Sequence, residues 1–451
     1  MIEFQFSDFF YPADLAKTML LLWRSEHWGS EQFEAYQRRQ LTRLMKYSYR
    51  QVPYYAALFQ SLGIDEKALT EDVVWEVFRK IPVLDKATLQ QTPDAFVSKI
   101  ADQYNPKMIT TSGTTGTPLT VYWDRDSNVM EFCCIQRLWR WGHFWPGQPF
   151  LDLRSRGIFG ESHHHYVKDG DIAYLYNWKI RGLEFSSDMI DEHNINAYYK
   201  VLLRYKPRLV RGHPQSIQHL AHLMQKNELT GWHPKSVTTA SETLYDFQRQ
   251  EIMAAWNAPI LDSYGLKEHN IFITQCEAGS YHIYPEYGIC EIVDDDGRQV
   301  APGEEGWVVA TGLHNYAQVL FRYNTRDRAI AGSGHRCACG RTLPTIERLI
   351  GRIDDCMYAQ DGHRYSGFSF AFLDRQGIRK GRLIQEDYNR VRVELVVNEL
   401  FTEDEKNKLL LDLNQKVRNQ MHFELAYVDD IQQETAGKFK FVVSKVKPKA
   451  K

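Results

Sequence analysis

Apolar residues recur at helical spacing through residues 14–60, in two amphipathic stretches that stop at Val52-Pro53-Tyr54-Tyr55. The proline disfavours helix at Val52, so a turn is predicted there. From residue 80 to 350 the pattern changes to short β-branched or aromatic runs that alternate with helical ones. Leu209-Val210, Val237-Thr238-Thr239 and Ile260-Leu261 read as short buried strands, and Ile217, Leu220, Ala221 and Met224 share one helical face after Pro214. Strand–helix alternation of this kind predicts an α/β fold. Trp307–Thr311 and Val319–Tyr323 predict a β-rich subdomain within it.

The end of the chain has a different character. Val391–Val397 alternates as a half-buried strand, and Phe439–Val443 reads as another. Between them, Thr402-Glu403-Asp404-Glu405 forms a capping-box pattern that opens a helix, with Leu409, Leu413, Val417 and Met421 on one face. Gly351-Arg352-Ile353-Asp354-Asp355 is polar and glycine-led, which places a boundary there. The predicted organisation is a large N-terminal α/β domain over 1–352 and a small C-terminal α+β domain over 353–451.

Composition narrows the classes. The chain has 451 residues with 43% hydrophobic and 25% charged, enough for a sizeable core and incompatible with disorder. Its net charge of -2 leaves no chain-level electrostatic footprint for nucleic acid or an anionic membrane. The best apolar run, Met19–Trp23, is stopped by Arg24, Glu26 and His27, far short of a membrane span. The N-terminus MIEFQFSDFFYP lacks the basic and apolar regions of a signal peptide. Seven cysteines without a disulfide pattern favour a reducing, cytoplasmic setting. The 13% aromatic content suits a stacking pocket for a planar ligand.

The strongest local signal is Thr110-Thr111-Ser112-Gly113-Thr114-Thr115-Gly116-Thr117-Pro118, with strand-like Thr120–Trp123 after it. Glycines let the backbone wrap a ligand closely, and hydroxyls add donors to the exposed N–H groups, which suits phosphate oxygens. Leu119 follows Pro118, so the Gly-Lys-Ser/Thr ending of a Walker loop is missing.

This loop resembles the phosphate-binding signature of the adenylate-forming superfamily, which holds acyl-CoA synthetases, peptide-synthetase adenylation domains and luciferases. Further motifs follow in the family's order. Tyr264-Gly265-Leu266-Lys267-Glu268 is similar to Tyr-Gly-x-Thr-Glu, with Lys267 in place of the usual Thr. Arg322-Tyr323-Asn324-Thr325-Arg326-Asp327 resembles the ribose-binding motif, Gly351–Asp355 the hinge and Thr435-Ala436-Gly437-Lys438 the C-terminal lysine loop. Val52-Pro53-Tyr54-Tyr55, Arg211-Gly212-His213-Pro214 and Cys337-x-Cys339-Gly340-Arg341 resemble the phenylacetate-CoA ligase-like branch, which includes capsule-biosynthesis homologues.

The resemblance implies an AMP-forming acid–thiol ligase that uses ATP and Mg²⁺ on a small-molecule carboxylate, with CoA as the expected acceptor. Thr111, Ser112, Gly113, Thr114, Thr115 and Gly116 would cradle the β/γ-phosphates. Glu268 would ligate Mg²⁺, a hard cation that favours oxygen ligands. Tyr264 and Gly265 would lie at the adenine, Asp327 would accept from the ribose hydroxyls, and Ser241 and Glu242 would lie near the nucleotide. Arg352 would approach the ribose or phosphate. Lys438 would reach the reacting carboxylate and α-phosphate, and Asp354 would be the hinge of a mobile C-terminal lid. The acid is expected to be aryl or acyl, in a pocket around Trp178–Phe185, His213 and Tyr264–Ile271. A carrier protein, an amine or a saccharide-linked group are the alternative acceptors, a non-catalytic nucleotide-binding relative is the reading from another class, and a homodimer is the oligomeric prior.

Cys276-x5-His282 and Cys337-x-Cys339 stand apart from these motifs. Two such pairs can close a tetrahedral Cys₃His zinc site, with His335 as a rival ligand; zinc there would be structural. Cys133, Cys134, Cys290 and Cys356 read as packed small hydrophobes, and Trp139, Trp141 and Trp145 as core. His163-His164-His165 reads as an exposed loop or a pocket lining, and His269 as a border of the acyl pocket.

Overall fold

The computed structural model describes residues 12–110, 119–154, 166–170, 172–334, 336–352, 357–360, 377–417, 419–431 and 441–446, with 364, 365, 368, 372 and 375. The described chain opens on α1 (Pro12–Ser25), α2 (Ser30–Gln51) and α3 (Pro53–Ser61), then α4 (Val74–Arg79) and α5 (Lys86–Gln91). A hairpin of β1 (Lys107–Thr110) and β2 (Thr120–Trp123) leads into α6 (Arg125–Trp141). The central stretch holds β3 (Phe150–Arg154), β4 (Tyr166–Asp169), β5 (Ile172–Asn177), β6 (Gly182–Ser186), α7 (Ile195–Tyr205), β7 (Leu209–Gly212), α8 (Pro214–Lys226), β8 (Ser236–Ala240), α9 (Asp246–Trp256) and β9 (Ile260–Gly265). Next come β10 (Phe272–Gln275), β11 (Tyr281–Ile283), β12 (Gly288–Val293), β13 (Glu305–Gly312), β14 (Tyr323–Ala331) and β15 (Thr345–Arg352). The chain ends in β16 (Met357–Tyr358), β17 (Arg364–Tyr365), β18 (Ile378–Gln385), β19 (Arg390–Val397), α10 (Glu403–Lys416), β20 (His422–Tyr427) and β21 (Val442–Ser444).

Two compact units result, Met1–Trp141 with Ser263–Leu349 and Gly142–Asp262 with Ile350–Lys451. In the first, neighbouring strands run β12-β13-β14-β15-β11-β10. Its core joins Leu41, Met45 and Tyr55 of the N-terminal helices to Leu320, Phe321 and Tyr323. In the second, β8-β7-β3-β6 are parallel, and β5 and β4 add antiparallel at the edge. The mixed α/β architecture expected from the sequence is therefore present. The second unit also holds the sheet β20-β19-β18-β21, over which Leu409, Leu413, Val417 and Met421 are buried. Thr402 Oγ1 accepts from Glu405 N–H at 3.2 Å, the cap that starts α10.

Two local expectations need correction. Val52 is extended (φ -108°, ψ 110°), but the break is one residue long because Pro53 is the first residue of α3. Proline's fixed φ and missing donor suit that position. Val319–Arg322 is not strand, which begins only at Tyr323. These residues are buried coil in which side chains satisfy two of the backbone N–H groups: Phe321 N–H donates to Tyr55 OH at 2.8 Å and Arg322 N–H to Thr311 Oγ1 at 2.8 Å.

Candidate active site

In the first unit, the turn after β9 and the strand β14 exchange side chains. Tyr264, near the end of β9, donates its hydroxyl to Asp327 Oδ2 at 2.7 Å. Tyr323, the first residue of β14, donates its hydroxyl to Glu268 Oε1 at 3.1 Å. Each segment thus supplies one tyrosine and one carboxylate, and each tyrosine holds the other segment's carboxylate. Thr325 fixes Asp327 further: its hydroxyl donates to Val308 C=O at 2.9 Å and accepts from Asp327 N–H at 3.1 Å. Burial, then the Asp327 charge, pushes the Tyr264 phenol well up, so it remains a donor.

Beyond Glu268 the chain turns through His269 at φ +50°. The Trp123 ring stacks on His269 with centroids 4.1 Å apart and planes 12° apart, and the indole N–H donates to Lys267 C=O. Burial holds the His269 imidazole down to about 3, so it is neutral near pH 7. Two glycines paired across β12 and β13 make room for this backbone. A Cβ on Gly288 would stand 2.4 Å from Asn270 O, and one on Gly312 2.7 Å from His269 O. His269 Nδ1 and both polar side-chain atoms of the buried Asn270 have no hydrogen-bond partner among the described residues. Asn270 falls within the expected pocket span Tyr264–Ile271 but was not singled out there, although it stands only two residues after Glu268.

The Gly/Ser/Thr loop joins the paired ends Thr110 and Thr120 of the β1–β2 hairpin, but Thr111, Ser112, Gly113, Thr114, Thr115 and Gly116 lie outside the described residues. So do Lys438, Asp354, His163, His164, His165, His335 and Cys356. Arg352 closes β15. At the far end of β2, buried Asp124 accepts from Ser127 N–H at 2.8 Å and starts α6. Burial pushes its carboxyl up to about 6 against the pull of the Ser127 and Tyr316 N–H groups.

In the second unit, Ser241 and Glu242 follow β8, and Glu242 Oε1 lies 3.4 Å from His213 Nδ1 after β7. Ser241 has φ +72°. Asp152 on β3 pairs with Arg211 on β7 at 2.6 Å, and Arg154 lies 3.2 Å from Glu184 on β6. These groups gather toward the carboxyl ends of the parallel strands, where open α/β sheets bind ligands. The expected pocket lining around Trp178–Phe185 is corrected here. Phe185 is fully buried core, and Trp178 stands at the β5–β6 tip, at the opposite end of the strands from His213, 65% exposed. Trp145 is also not core, being 56% exposed, whereas Trp139, Trp141, Cys133 and Cys134 are buried as expected.

The structure brings Cys276, His282, Cys337 and Cys339 together, with all four ligand atoms within 4.8 Å of one another. Cys276 Sγ and Cys337 Sγ are 3.5 Å apart, and Cys339 Sγ lies 3.4 Å from His282 Nε2. Edges of a zinc tetrahedron are about 3.7 Å for sulfur pairs and somewhat less for sulfur–nitrogen, so the set fits. His282 Nδ1 lies 3.2 Å from Leu343 C=O, which leaves Nε2 as the ligating atom. Burial lowers the imidazole's pKa, favouring the neutral form a metal needs. Burial pushes the Cys276 thiol up to about 12; it opposes ionisation of Cys337 too, yet bonds from the Ser280 side chain and Cys339 N–H leave that thiol below its usual range. Arg341 anchors the loop through Nη1, which donates to both Glu277 carboxylate oxygens at 3.0 and 2.8 Å.

Comparisons with known proteins agree with this picture. Residues 364–445 match the CapK C-terminal domain family. The chain is 20% identical to protein CapK of Staphylococcus aureus over 87% of this chain and 85% of that protein. It is 24% identical to a phenylacetate-coenzyme A ligase of Thermus thermophilus over 72% of each. A crystal structure of 2-hydroxyisobutyryl-CoA ligase superposes with a TM-score of 0.70 at 16% identity, covering 94% of this chain and 91% of that one. The chain is thus a relative of CapK and of the phenylacetate-CoA ligases, folded like the adenylate-forming acyl-CoA ligases.

Proposed function

We propose that this protein is an AMP-forming ligase that activates a carboxylic acid with ATP and passes the acyl group to the thiol of CoA. The observation that carries this reading is the reciprocal pair Tyr264–Asp327 and Tyr323–Glu268, which holds two carboxylates in a fixed frame. Asp327 receives ribose hydroxyls; Glu268 offers oxygen to a magnesium ion, which when bound neutralises phosphate charge. The Thr111–Gly116 loop takes the β/γ-phosphates, Arg352 the ribose or phosphate, and Tyr264–Gly265 border the adenine. A carboxylate oxygen of the substrate attacks the α-phosphorus, and the bond to pyrophosphate breaks. The thiolate then attacks the acyl carbon, AMP leaves, and the thiol proton passes to solvent. This chemistry asks for charge stabilisation more than for acid–base groups.

Residues 353–451 act as a lid that turns about Asp354 between the two steps and carries Lys438 to the reacting carboxylate in the first. Cys276, His282, Cys337 and Cys339 hold a structural zinc ion with no open position for chemistry. The acid is aryl or acyl, the names of the relatives giving the CoA acceptor its support.

The test is pyrophosphate release from ATP and Mg²⁺ over a panel of aryl and aliphatic acids, with and without CoA. Turnover that requires CoA is expected; turnover indifferent to CoA would move the acceptor to a carrier protein, an amine or a saccharide-linked group. Lys438→Ala should slow adenylation at least about a hundredfold while capture of supplied acyl-adenylate persists. Adenylation at the parent rate would remove Lys438 from the role.

A further inference from the structure

The connections entering β6, β3, β7 and β8 meet on one edge of the second unit, at the amino ends of these parallel strands. Arg181 C=O accepts from Phe150 N–H at 3.2 Å, and its guanidinium donates to Gly147 C=O at 3.3 Å. Arg208 N–H donates to Pro149 C=O at 2.8 Å, and Lys235 N–H to Arg208 C=O at 2.7 Å. Four segments, 142–149, 178–181, 206–208 and 227–235, are therefore laced side by side.

Their charge is one-sided. Lys179, Arg181, Lys206, Arg208 and Lys235 are all exposed there, against Glu228 as the sole acidic residue of the four segments. Among the described residues Lys206, Arg208 and Lys235 have no ion-pair partner. Arg204, in the last turn of α7, adds to the same sign.

The same edge exposes large apolar side chains. Trp178 is 65% exposed, Trp145 56%, Ile180 43% and Leu203 36%. The Lys179 ammonium lies 5.9 Å from the Trp178 ring centroid. Two tryptophans therefore stand mostly in water on loops with bonded backbones, on the edge that carries the basic residues. Tryptophan with flanking Lys and Arg suits the lipid headgroup layer, where the ring is half apolar and half wet and the cations meet phosphates. A nucleic acid offers stacking to the tryptophans but no apolar bed for Ile180 and Leu203.

We propose that this edge docks on an anionic membrane surface. Trp145, Trp178 and Ile180 enter the boundary between headgroups and acyl chains, and the basic residues around them face lipid phosphates. His213 and Glu242 lie at the other end of the same strands, so docking does not involve that end. The protein is held peripherally, and no described helix is long and apolar enough to cross the bilayer.

The experiment is co-sedimentation of the full chain with vesicles of phosphatidylcholine alone or mixed equally with phosphatidylglycerol, at about 0.1 M and about 1 M salt. Partition onto the anionic vesicles should exceed that onto neutral ones by about tenfold or more at low salt, fall at high salt, and blue-shift the tryptophan emission. Lys179→Glu with Arg181→Glu should reduce it about tenfold or more, and Trp145→Ala with Trp178→Ala severalfold, with unchanged melting temperatures. Absent binding, equal binding to both vesicle types, or parent-like binding by the charge-reversed variant would overturn the proposal. So would retention by heparin or duplex DNA without vesicle binding, or self-association lost in the tryptophan variant while vesicles are ignored.

Discussion

Two buried polar clusters in the first unit are built on opposite plans. Cys276, His282, Cys337 and Cys339 face one another within 4.8 Å, and His282 is steadied from behind by Leu343. His269 and Asn270 are more deeply buried than that set, in which Cys337 and Cys339 are only half-buried, but their inward polar atoms meet no described protein group. A resident ion calls for ligands that converge on each other. A ligand that comes and goes calls for groups left unsatisfied until it arrives, at a standing cost in stability. Removing side chains from the two clusters should therefore have effects of opposite sign.

The largest effect is expected at the cysteines. Cys337→Ala should lower unfolding stability by about 3–5 kcal/mol and reduce bound zinc from about one equivalent to none by elemental analysis. A zinc-free parent protein of full stability would break the comparison on this side. Asn270→Leu should do the reverse and raise stability by about 1–2 kcal/mol in denaturant titration, because an apolar side chain of similar shape needs no partner. The same variant should raise the KM for the acid or ATP; a stability loss with unchanged kinetics would make Asn270 an ordinary structural residue.

The smallest effect concerns pH. His269 has a folded pKa of about 3, below its unfolded value of 6.5, so the folded state disfavours its protonation. The stability linked to its neutral form is present above 6.5 and is lost as pH falls toward 3. Between pH 7 and pH 6 the loss attributable to it is about 0.7 kcal/mol. Denaturation at both pH values for the parent and His269→Gln should isolate that difference, and identical slopes would show that His269 is solvated.

How much of this was legible beforehand differs from element to element. Helix α10 was readable to its cap, because Thr402 and the spacing of Leu409, Leu413 and Val417 are local facts. Strands β7, β8 and β13 were readable for the same reason. Val319–Arg322 was misread since apolar, β-branched residues serve a buried coil as well as a strand, and only Tyr55 and Thr311, distant in sequence, decide between them. Trp145 was assigned to the core because tryptophan usually goes there, and Trp178 to the lining of the acid pocket; only the path of the connecting loops puts both in water.

The sequence alone determined the order of the nucleotide-type motifs, the α/β alternation, the cap of α10 and the four metal-type side chains with their spacing. These are properties of residue identity and of short-range periodicity. The tertiary structure alone decided that Tyr264 holds Asp327 while Tyr323 holds Glu268, that Asn270 is buried with its amide unmet, and that the two Cys-bearing loops converge. It also decided that a chain of net charge -2 gathers Lys179, Arg181, Lys206, Arg208 and Lys235 on one edge. The reason is common to all four. Each depends on which side chains the strand order brings together, and a sum or a spacing along the chain carries no information about neighbours across a sheet.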